Sequence, residues 1–231
     1  MIKESTISIL TPTRNRPSNC IRFIQSVYNT SHNKDNVEML FYVDNDDPSI
    51  EDYKKIEGKF TYGDPISVSK SWNIIAEKCK GDYMIMGNDD LIYRTPGWDT
   101  ILTEKLSALE PFWCSWVDDG INGKNHCAFP IISREWYDAV GYFAPGIFNF
   151  GYNDTWVFEI AKRIDRCNYI KDIFVEHMHF TKSKSEMDDT YARNRTQEKG
   201  NLYKKDLEIF NQTVNKRIED SQKIINEIRN L

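Results

Sequence analysis

The sequence is poor in the features that mark several common classes of protein. It contains no Gly-x-Gly-x-x-Gly motif and no Walker lysine, which argues against a dinucleotide fold or a P-loop nucleotide site. Its five cysteines include no Cys-x-x-Cys pair for zinc or redox chemistry, so reduced thiols are the simplest interpretation. No apolar run is long enough to span a membrane, and the N-terminus lacks the apolar core of a signal peptide. We therefore expect a cytoplasmic location.

The chain also lacks an excess of basic residues. Its formal net charge is -5, whereas a general nucleic-acid binder needs a basic surface, so we expect no nucleic-acid partner. With 231 residues, of which 40% are hydrophobic and 28% charged, the chain can form one substantial domain, or one domain with a helical extension. The aromatic fraction of 13% fits either a large core or a surface on which sugars or bases stack.

The stretch 81–90 combines a short apolar strand with paired carboxylates. Tyr83–Met86 is too short for a buried helix and is typical of a strand buried on both faces of an α/β sheet. Such a strand delivers Asn88, Asp89 and Asp90 to its carboxyl end, where open α/β sheets bind ligands. Adjacent carboxylates repel each other, and a divalent cation that bridges them to phosphate oxygens relieves the repulsion. An ordinary polar turn is the alternative.

Two earlier strands also end in polar residues. The apolar run 6–10 predicts a buried first strand, and a helix that begins near Pro17 follows it. The loop between them offers hydroxyl, amide and guanidinium donors for a nucleotide: Thr11, Pro12, Thr13, Arg14, Asn15 and Arg16. The second strand, 37–43, ends at Asp44, in a position where an acidic residue often accepts hydrogen bonds from a ribose or base. A polar connection or a turn is the alternative at both places.

The remaining elements are predicted from apolar periodicity and capping residues. Helices are predicted near 49–59, with Asp46 and Asp47 as caps, over 68–80, from residue 96 onward, over Arg134–Val140, and from about 198 to the C-terminus. Further strands are predicted at 112–117, 127–132 and 173–180. The mixed charges of the C-terminal helix favour packing on its own domain, or on a second copy in a homodimer, over a membrane-surface role.

The second half of the chain supplies candidates for catalysis and metal binding. Asp154 lies at the start of an amphipathic helix, where the helix N-terminus fixes the carboxylate, and a simple capping role is the alternative. His177 and His179 lie two apart in a predicted strand, which places both imidazoles on one face. An exposed pair on an edge strand is the alternative. The segment 143–153 forms either an acceptor-facing loop or aromatic packing.

A cationic segment follows the two histidines. It carries Lys182, Lys184, Arg193 and Arg195 around Asp189 and Tyr191. Such a segment can close over a diphosphate, and a solvated charged linker is the alternative.

Four motifs occur in a recognisable order along the chain. One strand ends in Thr-Pro-Thr-Arg-Asn-Arg, a second ends in Val-Asp, a helix contains Ser-Trp-Asn, and the fourth motif is Gly-Asp-Tyr-Met-Ile-Met-Gly-Asn-Asp-Asp. This order resembles the nucleotide-sugar domain of GT-A fold glycosyltransferases, and looks most like family 2. The resemblance implies an α/β three-layer sandwich with a mostly parallel sheet over 1–181, divided into a nucleotide-sugar half, 1–95, and an acceptor half, 96–181. A loop and a C-terminal helical extension would follow over 182–231.

The resemblance implies a donor site and a divalent metal, manganese or magnesium. The positions that would hold the nucleotide sugar are Thr11, Pro12, Thr13, Arg14, Asn15, Arg16, Asp44, Asn73, Asn88 and Asp89. Asn88 stands where the Asp-x-Asp motif of the family has its first carboxylate, and Trp72 stands where the family usually has an arginine. Asp90 is then the direct metal ligand, together with His177 or His179.

The resemblance implies an inverting, metal-dependent glycosyltransferase that moves a sugar from a UDP-linked donor to a hydroxyl acceptor. Asp154 matches the catalytic base of the family, which takes the proton of the acceptor hydroxyl. Two alternatives stay open. A sugar-phosphate nucleotidyltransferase shares a similar sheet, but its Gly-rich first loop is absent here. A non-catalytic nucleotide-sugar-binding or assembly protein on the same fold is favoured by Asn88.

Overall fold

The structure is a computed structural model that describes residues 5–185, 192 and 201–231. Within these residues, eight β-strands form one sheet and helices cover both of its faces. The strands are β1 (Ile7–Thr13), β2 (Val37–Asp44), β3 (Lys59–Gly63), β4 (Tyr83–Met86), β5 (Leu91–Tyr93), β6 (Cys114–Asp118), β7 (Ile131–Ser133) and β8 (Cys167–His177). The helices are α1 (Pro17–Thr30), α2 (Ile50–Tyr53), α3 (Val68–Ala76), α4 (Trp98–Ser107), α5 (Arg134–Val140), α6 (Asn153–Arg163), α7 (Leu202–Gln212) and α8 (Val214–Arg229). Short 3-10 turns lie at Lys34–Asn36, Gly123–Asn125 and Phe180–Lys182.

The strand order in the sheet is β3-β2-β1-β4-β7-β6-β8-β5. Strands β1 to β4 run parallel to one another, and so do β6 and β8, whereas β7 is antiparallel to both of its neighbours and β5 is antiparallel to β8. Four of the seven neighbouring pairs are therefore parallel, which agrees with the predicted mostly parallel sheet. The carboxyl ends of β1, β2 and β4 meet at one edge, the usual ligand edge of an α/β sheet.

The alternation of side chains along β1 shows how the three layers form. Ile9 packs into a buried cluster that includes Phe23 of α1 and Trp98 of α4. The next residue, Leu10, packs into the opposite cluster, which includes Trp72 of α3. Successive side chains of a strand point to opposite faces, so an unbroken run of buried residues needs a helical layer on each side. The structure thus has the predicted three-layer arrangement.

Strand β4 and helix α5 have the predicted bounds, and several other elements differ mainly in length. Strand β1 continues past the predicted end at residue 10, through Pro12, to Thr13. Beyond Leu10 it pairs with β2 alone, so a proline without an N–H is tolerated there as it is on an edge strand. Strand β8 begins at Cys167 rather than at residue 173, and it ends before His179.

Two strands, β3 and β5, are not predicted from the sequence. The helix predicted near 49–59 is wrong over its second half, because α2 ends at Tyr53 and β3 begins at Lys59. Phe60 of β3 stacks on Phe41 of β2 with ring centroids 4.8 Å apart, and such cross-strand pairs override a weak helical pattern. Strand β5 has only three residues, all buried, and owes its conformation to pairing with β8 rather than to local sequence.

The two C-terminal helices pack against the domain itself. Ile224 of α8 is fully buried in the same hydrophobic cluster as the side chains of α5 and α6. Arg217 of α8 bonds to Glu159 of α6, and its guanidinium lies 3.8 Å from the ring centroid of Phe210. Packing on its own domain, one of the two predicted alternatives, is therefore present, while the homodimer and a domain boundary at residue 181 stay predictions. In the described part of the chain, every helix is too short or too polar to cross a membrane.

Candidate functional site

A cavity of about 590 Å³ opens where β1, β2 and β4 end. One side of it is formed by these strand ends, and the other side by residues 149–155 at the start of α6 together with Leu202 and Tyr203 of α7. Most of the side chains that the sequence singles out line this cavity: Pro12, Thr13, Arg14, Arg16, Asp44, Asn88, Asp89, Asp90, Asp154, His177 and His179. The fold thus brings the predicted nucleotide, metal and base residues into one site.

Three predicted nucleotide-binding residues do not line the cavity. The Thr11 side chain is buried inside the sheet, and its hydroxyl makes no hydrogen bond to a described residue. Asn15 accepts a hydrogen bond from Ser49 through its side chain, 2.9 Å long. Asn73 holds a loop: its Oδ1 accepts from the N–H groups of Phe143 and Ala144, both at 2.9 Å. These three side chains face other parts of the protein instead of the space where a nucleotide would sit.

Arg14 joins the ends of the first two strands. Because β1 and β2 are parallel with Thr13 opposite Val43, the residues that follow them lie side by side. Arg14 Nη1 donates to Asp44 Oδ2 at 2.7 Å and also bonds to Asp46. Asp46 therefore pairs with an arginine rather than capping the next helix as predicted. The pair presents a guanidinium and a carboxylate at the predicted nucleotide end of the cavity.

Asp89 is an internal anchor of the loop that follows β1. Its Oδ2 accepts from the Thr13 hydroxyl at 2.6 Å, and its Oδ1 accepts from Arg16 at 3.1 Å. The hydroxyl of Tyr53 lies 2.8 Å from that of Thr13 and accepts from the backbone N–H of Arg16, so it closes the network. Burial raises the pKa of Asp89 to about 6, against the opposing charge of Arg16 and with a contribution from Asp90. Tyr53 carries no local sequence signal for this role.

Asp90 and His177 meet because of the unpredicted strand β5. In its antiparallel pairing with β8, Leu91 lies opposite His177, which brings the preceding Asp90 beside the imidazole. Asp90 Oδ2 lies 3.3 Å from His177 Nε2, and both side chains are largely buried. The rings of His177 and His179 are 4.9 Å apart, but Nδ1 of His179 faces the Thr181 hydroxyl at 2.7 Å. Of the two predicted histidine ligands, His177 is the one placed against Asp90.

The residues at this point fit a divalent ion only if a ligand completes its coordination. Among the described residues, no group of three His, Cys, Asp or Glu side chains is placed to hold a metal. Asp90 and His177 offer one carboxylate and one imidazole, and the buried Nδ1 of His177 makes no hydrogen bond within the described chain. Manganese and magnesium commonly complete such a set with phosphate oxygens and water. The donor set thus suits an ion shared with a diphosphate, not an all-protein site.

The net charge of the cavity lining also suits a bound cation. Its described lining holds two guanidinium groups, on Arg14 and Arg16, and four carboxylates, on Asp44, Asp89, Asp90 and Asp154. Both arginines are already paired with carboxylates. The excess of negative charge would repel a diphosphate that enters this space, and an accompanying cation would offset that repulsion.

Asp154 lies on the opposite side of the cavity, in the first turn of α6. Its Oδ2 is 2.9 Å from Nε2 of His126, a residue of the loop between β6 and β7 that also lines the cavity. The hydrogen bond to Asp154 raises the pKa of His126 above its ordinary value, while partial burial opposes the shift. His126 is not among the predicted site residues, because nothing in its local sequence connects it with a residue in another element.

The loop that precedes Asp154 is held in place by a residue of α7. Asp206 is fully buried, and its carboxylate accepts from the backbone N–H groups of Asn149, Phe150 and Gly151 at 2.7–2.9 Å. Tyr152 follows with a φ of 64°, a conformation that is strained for a bulky residue and that persists where the surroundings fix it. Of the two alternatives for segment 143–153, aromatic packing is present in its first part, whereas 149–153 line the cavity and their acceptor-facing role stays a prediction.

The cationic segment predicted to close over a diphosphate is only partly within the described residues. Lys184 bonds to Glu176 at 2.8 Å, and neither it nor Lys182 lines the cavity. The other members of the predicted segment, Asp189, Tyr191, Arg193 and Arg195, lie outside the described residues.

No protein-family model matches this chain, and no curated protein matches it. Solved structures do match. The mannosyltransferase PcManGT from Pyrobaculum calidifontis, in complex with GDP-Man and Mn2+, is similar with a TM-score of 0.58 and 11% sequence identity, over 77% of this chain and 58% of that chain. S. aureus TarS 1-349, in complex with UDP-GlcNAc, is similar with a TM-score of 0.57 and 12% identity, over 81% of this chain and 64% of that chain. This chain spans less than two thirds of the length of either protein.

At such identities the likeness concerns the fold. The chain has a GT-A-like α/β fold, with a mostly parallel eight-stranded sheet between helices, as the order of its sequence motifs predicts. Where the family pattern has an arginine before Asn73, Trp72 is buried and its indole N–H donates to the carbonyl oxygen of Leu10 at 2.9 Å. This hydrogen bond fixes α3 to the middle of β1.

Proposed function

We propose that this chain is a metal-dependent, inverting glycosyltransferase that moves a sugar from a nucleoside diphosphate sugar to a hydroxyl group of an acceptor. The proposal is supported above all by one observation. A single cavity has the Arg14–Asp44 pair and the Asp90–His177 pair at the strand ends, and Asp154 at a helix N-terminus on its other side. This arrangement suits a donor held at the strand ends while its sugar faces a carboxylate base.

The proposed reaction is a direct displacement at the anomeric carbon. Asp154 takes the proton of the acceptor hydroxyl, the acceptor oxygen bonds to the anomeric carbon, and the bond from that carbon to the diphosphate oxygen breaks. Its electron pair leaves with the diphosphate, and attack from the opposite face inverts the configuration. A divalent ion held by Asp90 and His177 would neutralise the charge of the departing diphosphate.

The donor class follows from the fold and from the strand-end residues. PcManGT has been solved with GDP-Man and TarS with UDP-GlcNAc, so these neighbours support a nucleotide sugar without favouring one base. The resemblance of the sequence motifs favours a UDP-linked donor. Arg14 and Asp44 are the residues we assign to the ribose and base. The acceptor, a homodimer through the C-terminal helix and a cytoplasmic location stay predictions from the sequence.

The experiment that tests this proposal is calorimetric titration of the protein with UDP, GDP, CDP and ADP, each with and without manganese. We expect one nucleotide to bind, and its affinity to fall when the metal is removed or when Asp90 is changed to Ala. The exposed Asp138 on α5, outside the cavity, provides the matched control Asp138→Ala, which should bind as the wild type does. A folded protein that binds none of the four nucleotides would contradict the proposal.

A non-catalytic nucleotide-sugar-binding protein is the second candidate. The observation that favours it is Asn88, which lines the cavity where a carboxylate of the family motif would stand and therefore removes one negative charge near the metal. Release of UDP or GDP from a donor sugar separates the two candidates. An enzyme releases the nucleotide in the presence of an acceptor or, slowly, of water, and a pure binding protein returns the donor intact.

A further inference from the structure

Asp154 and His126 contact each other at the wall of the cavity. The two side chains are both partly exposed to the cavity, with 28% and 33% of their surface accessible. The 2.9 Å contact from Nε2 to Oδ2 is their shortest polar contact, and Oδ1 of Asp154 has a longer one, 3.3 Å, to the hydroxyl of Thr155. One carboxylate oxygen is thus bonded to the imidazole, and the other has the longer contact, with the neighbouring Thr155.

The surroundings of His126 hold its ring in place. Its ring meets that of Phe158 edge to face, with centroids 5.7 Å apart. The preceding loop is fixed by Asp119, whose Oδ1 accepts from the N–H groups of Ile121 and Asn122 at 2.9 and 2.6 Å. The charged groups that face His126 are Asp154 and Lys162 from α6 and Asp119 from the loop after β6, so negative charge prevails. These contacts fix the position of the His126 ring beside Asp154.

We propose that His126 positions the Asp154 carboxylate through the contact of Nε2 with Oδ2 and, in its neutral form, keeps that carboxylate a stronger base, so that Oδ1 receives the proton of the acceptor hydroxyl. The proposal deepens the proposed function and rests on it. In the neutral imidazole, Nε2–H donates to Oδ2, Oδ1 takes the proton of the acceptor hydroxyl, and the pair ends as a carboxylic acid bonded to a neutral imidazole. A charged imidazolium at the same place would make the carboxylate a weaker base. The imidazole must therefore be neutral before reaction, and activity should rise with pH as His126 loses its proton.

Two substitutions of His126 separate positioning from titration. His126→Gln places an amide donor near the position of Nε2 but cannot titrate, whereas His126→Phe removes both properties at similar volume. The readout is release of UDP from UDP-GlcNAc and of GDP from GDP-mannose with water as acceptor, measured from pH 5.5 to 9. We expect His126→Phe to lower the rate about tenfold or more at all pH values. We expect His126→Gln to retain more of the rate and to lose the rise with pH.

A measurement independent of catalysis tests the pairing itself. The chain has four histidines, so the pKa of the His126 imidazole can be followed by NMR, with His126→Gln assigning its signal and His32, outside the cavity, as internal control. In Asp154→Asn the pKa of His126 should fall towards its ordinary value, whereas the signal of His32 should not respond to the substitution. Circular dichroism and donor titration of each variant show whether it remains folded and binds the nucleotide sugar as the wild type does.

The outcomes distinguish this inference from the proposed function. If no nucleotide sugar binds, the proposed function fails, whatever the pKa of His126. If donors bind and are cleaved, but both His126 variants keep the wild-type rate and pH profile, the inference about His126 is overturned and the enzyme stands. A pKa of His126 that does not respond to Asp154→Asn overturns it as well. Loss of the pH rise in His126→Gln, with donor affinity unchanged, supports it.

Discussion

The two sides of the cavity are built on different principles. The strand-end side consists of side chains that follow adjacent parallel strands and pair across them, as Arg14 does with Asp44 and Arg16 with Asp89. The opposite side is a loop, 149–152, whose backbone N–H groups converge on Asp206, more than fifty positions further along the chain. The first side is placed by the sheet, and the second by a helix that packs on it.

This difference predicts how each side responds to substitution. A strand-end side chain can be removed while β1, β2 and β4 remain packed in two hydrophobic clusters, so mainly ligand affinity should change. Three successive N–H groups of the loop share one buried carboxylate, so removal of that carboxylate should change the fold of the loop and the position of Asp154 together.

The largest effect should come from Asp154→Asn. The amide cannot take the acceptor proton, so we expect the rate of sugar transfer or donor hydrolysis to fall roughly 100- to 10,000-fold. Donor affinity, measured by calorimetry, should stay within about threefold, because the nucleotide is assigned to the other side of the cavity. Asp138→Asn, on the exposed face of α5, is the matched control. A variant that keeps its rate would remove Asp154 as the base.

Asp206→Ala should have the next largest effect, and it acts on stability. The backbone N–H groups of three successive residues would lose their acceptor, which should lower the free energy of unfolding by about 3 kcal/mol in urea titrations. Glu208→Ala on the exposed side of the same helix is the control and should change little. Transfer should also fall more than donor binding does. An equal loss in both variants would show that Asp206 has no special role.

The contrast between the two sides also explains what the sequence could predict. Residues assigned to the donor sugar could be predicted from the sequence, because a polar group directly after an apolar strand lies at the ligand edge of a parallel sheet. This rule does not depend on the rest of the fold. That rule places Arg14, Asp44 and Asp90 correctly beside the cavity. It overextends at Thr11 and Asn15, since β1 continues to Thr13 and the loop turns away after it.

The loop side of the cavity could be predicted less well from the sequence, because its structure depends on contacts between residues that lie far apart in the chain. Asn73 carries a family role by resemblance, yet its side chain binds the backbone of residues 143 and 144, and no local pattern connects these. Asp206 did leave a signal. It lies four positions after Leu202 and four before Phe210, so helical periodicity places a carboxylate on the inner face of α7. A carboxylate at such a position needs hydrogen-bond donors in the protein interior, so the sequence contains a signal for a structural role of Asp206.

Arg14→Gln tests the strand-end side with a smaller effect. The glutamine keeps a donor near Asp44 but loses the positive charge, so we expect nucleotide affinity to fall about tenfold and the free energy of unfolding to change by less than about 1 kcal/mol. Arg94→Gln removes an arginine from another ion pair, with Glu176, outside the cavity, and should not affect nucleotide binding. A large loss of stability in Arg14→Gln would mean that the strand ends need this pair to fold.

The smallest expected effect is a dependence of stability on pH, and it comes from the contact between His126 and Asp154. The hydrogen bond to Asp154 raises the pKa of His126 in the folded protein above its value in the unfolded chain. The folded state therefore binds the proton more tightly, so the contribution of the pair is fully present below the unfolded pKa, about 6.5, and disappears as the pH rises through the raised folded pKa. The difference in unfolding free energy between the wild type and His126→Gln should accordingly shrink between pH 6 and pH 9. A difference that stays constant over this range would mean that Asp154 does not stabilise the imidazolium of His126. The loop side of the cavity would then have no ion pair comparable to the arginine–aspartate pairs Arg14–Asp44 and Arg16–Asp89 of the strand-end side.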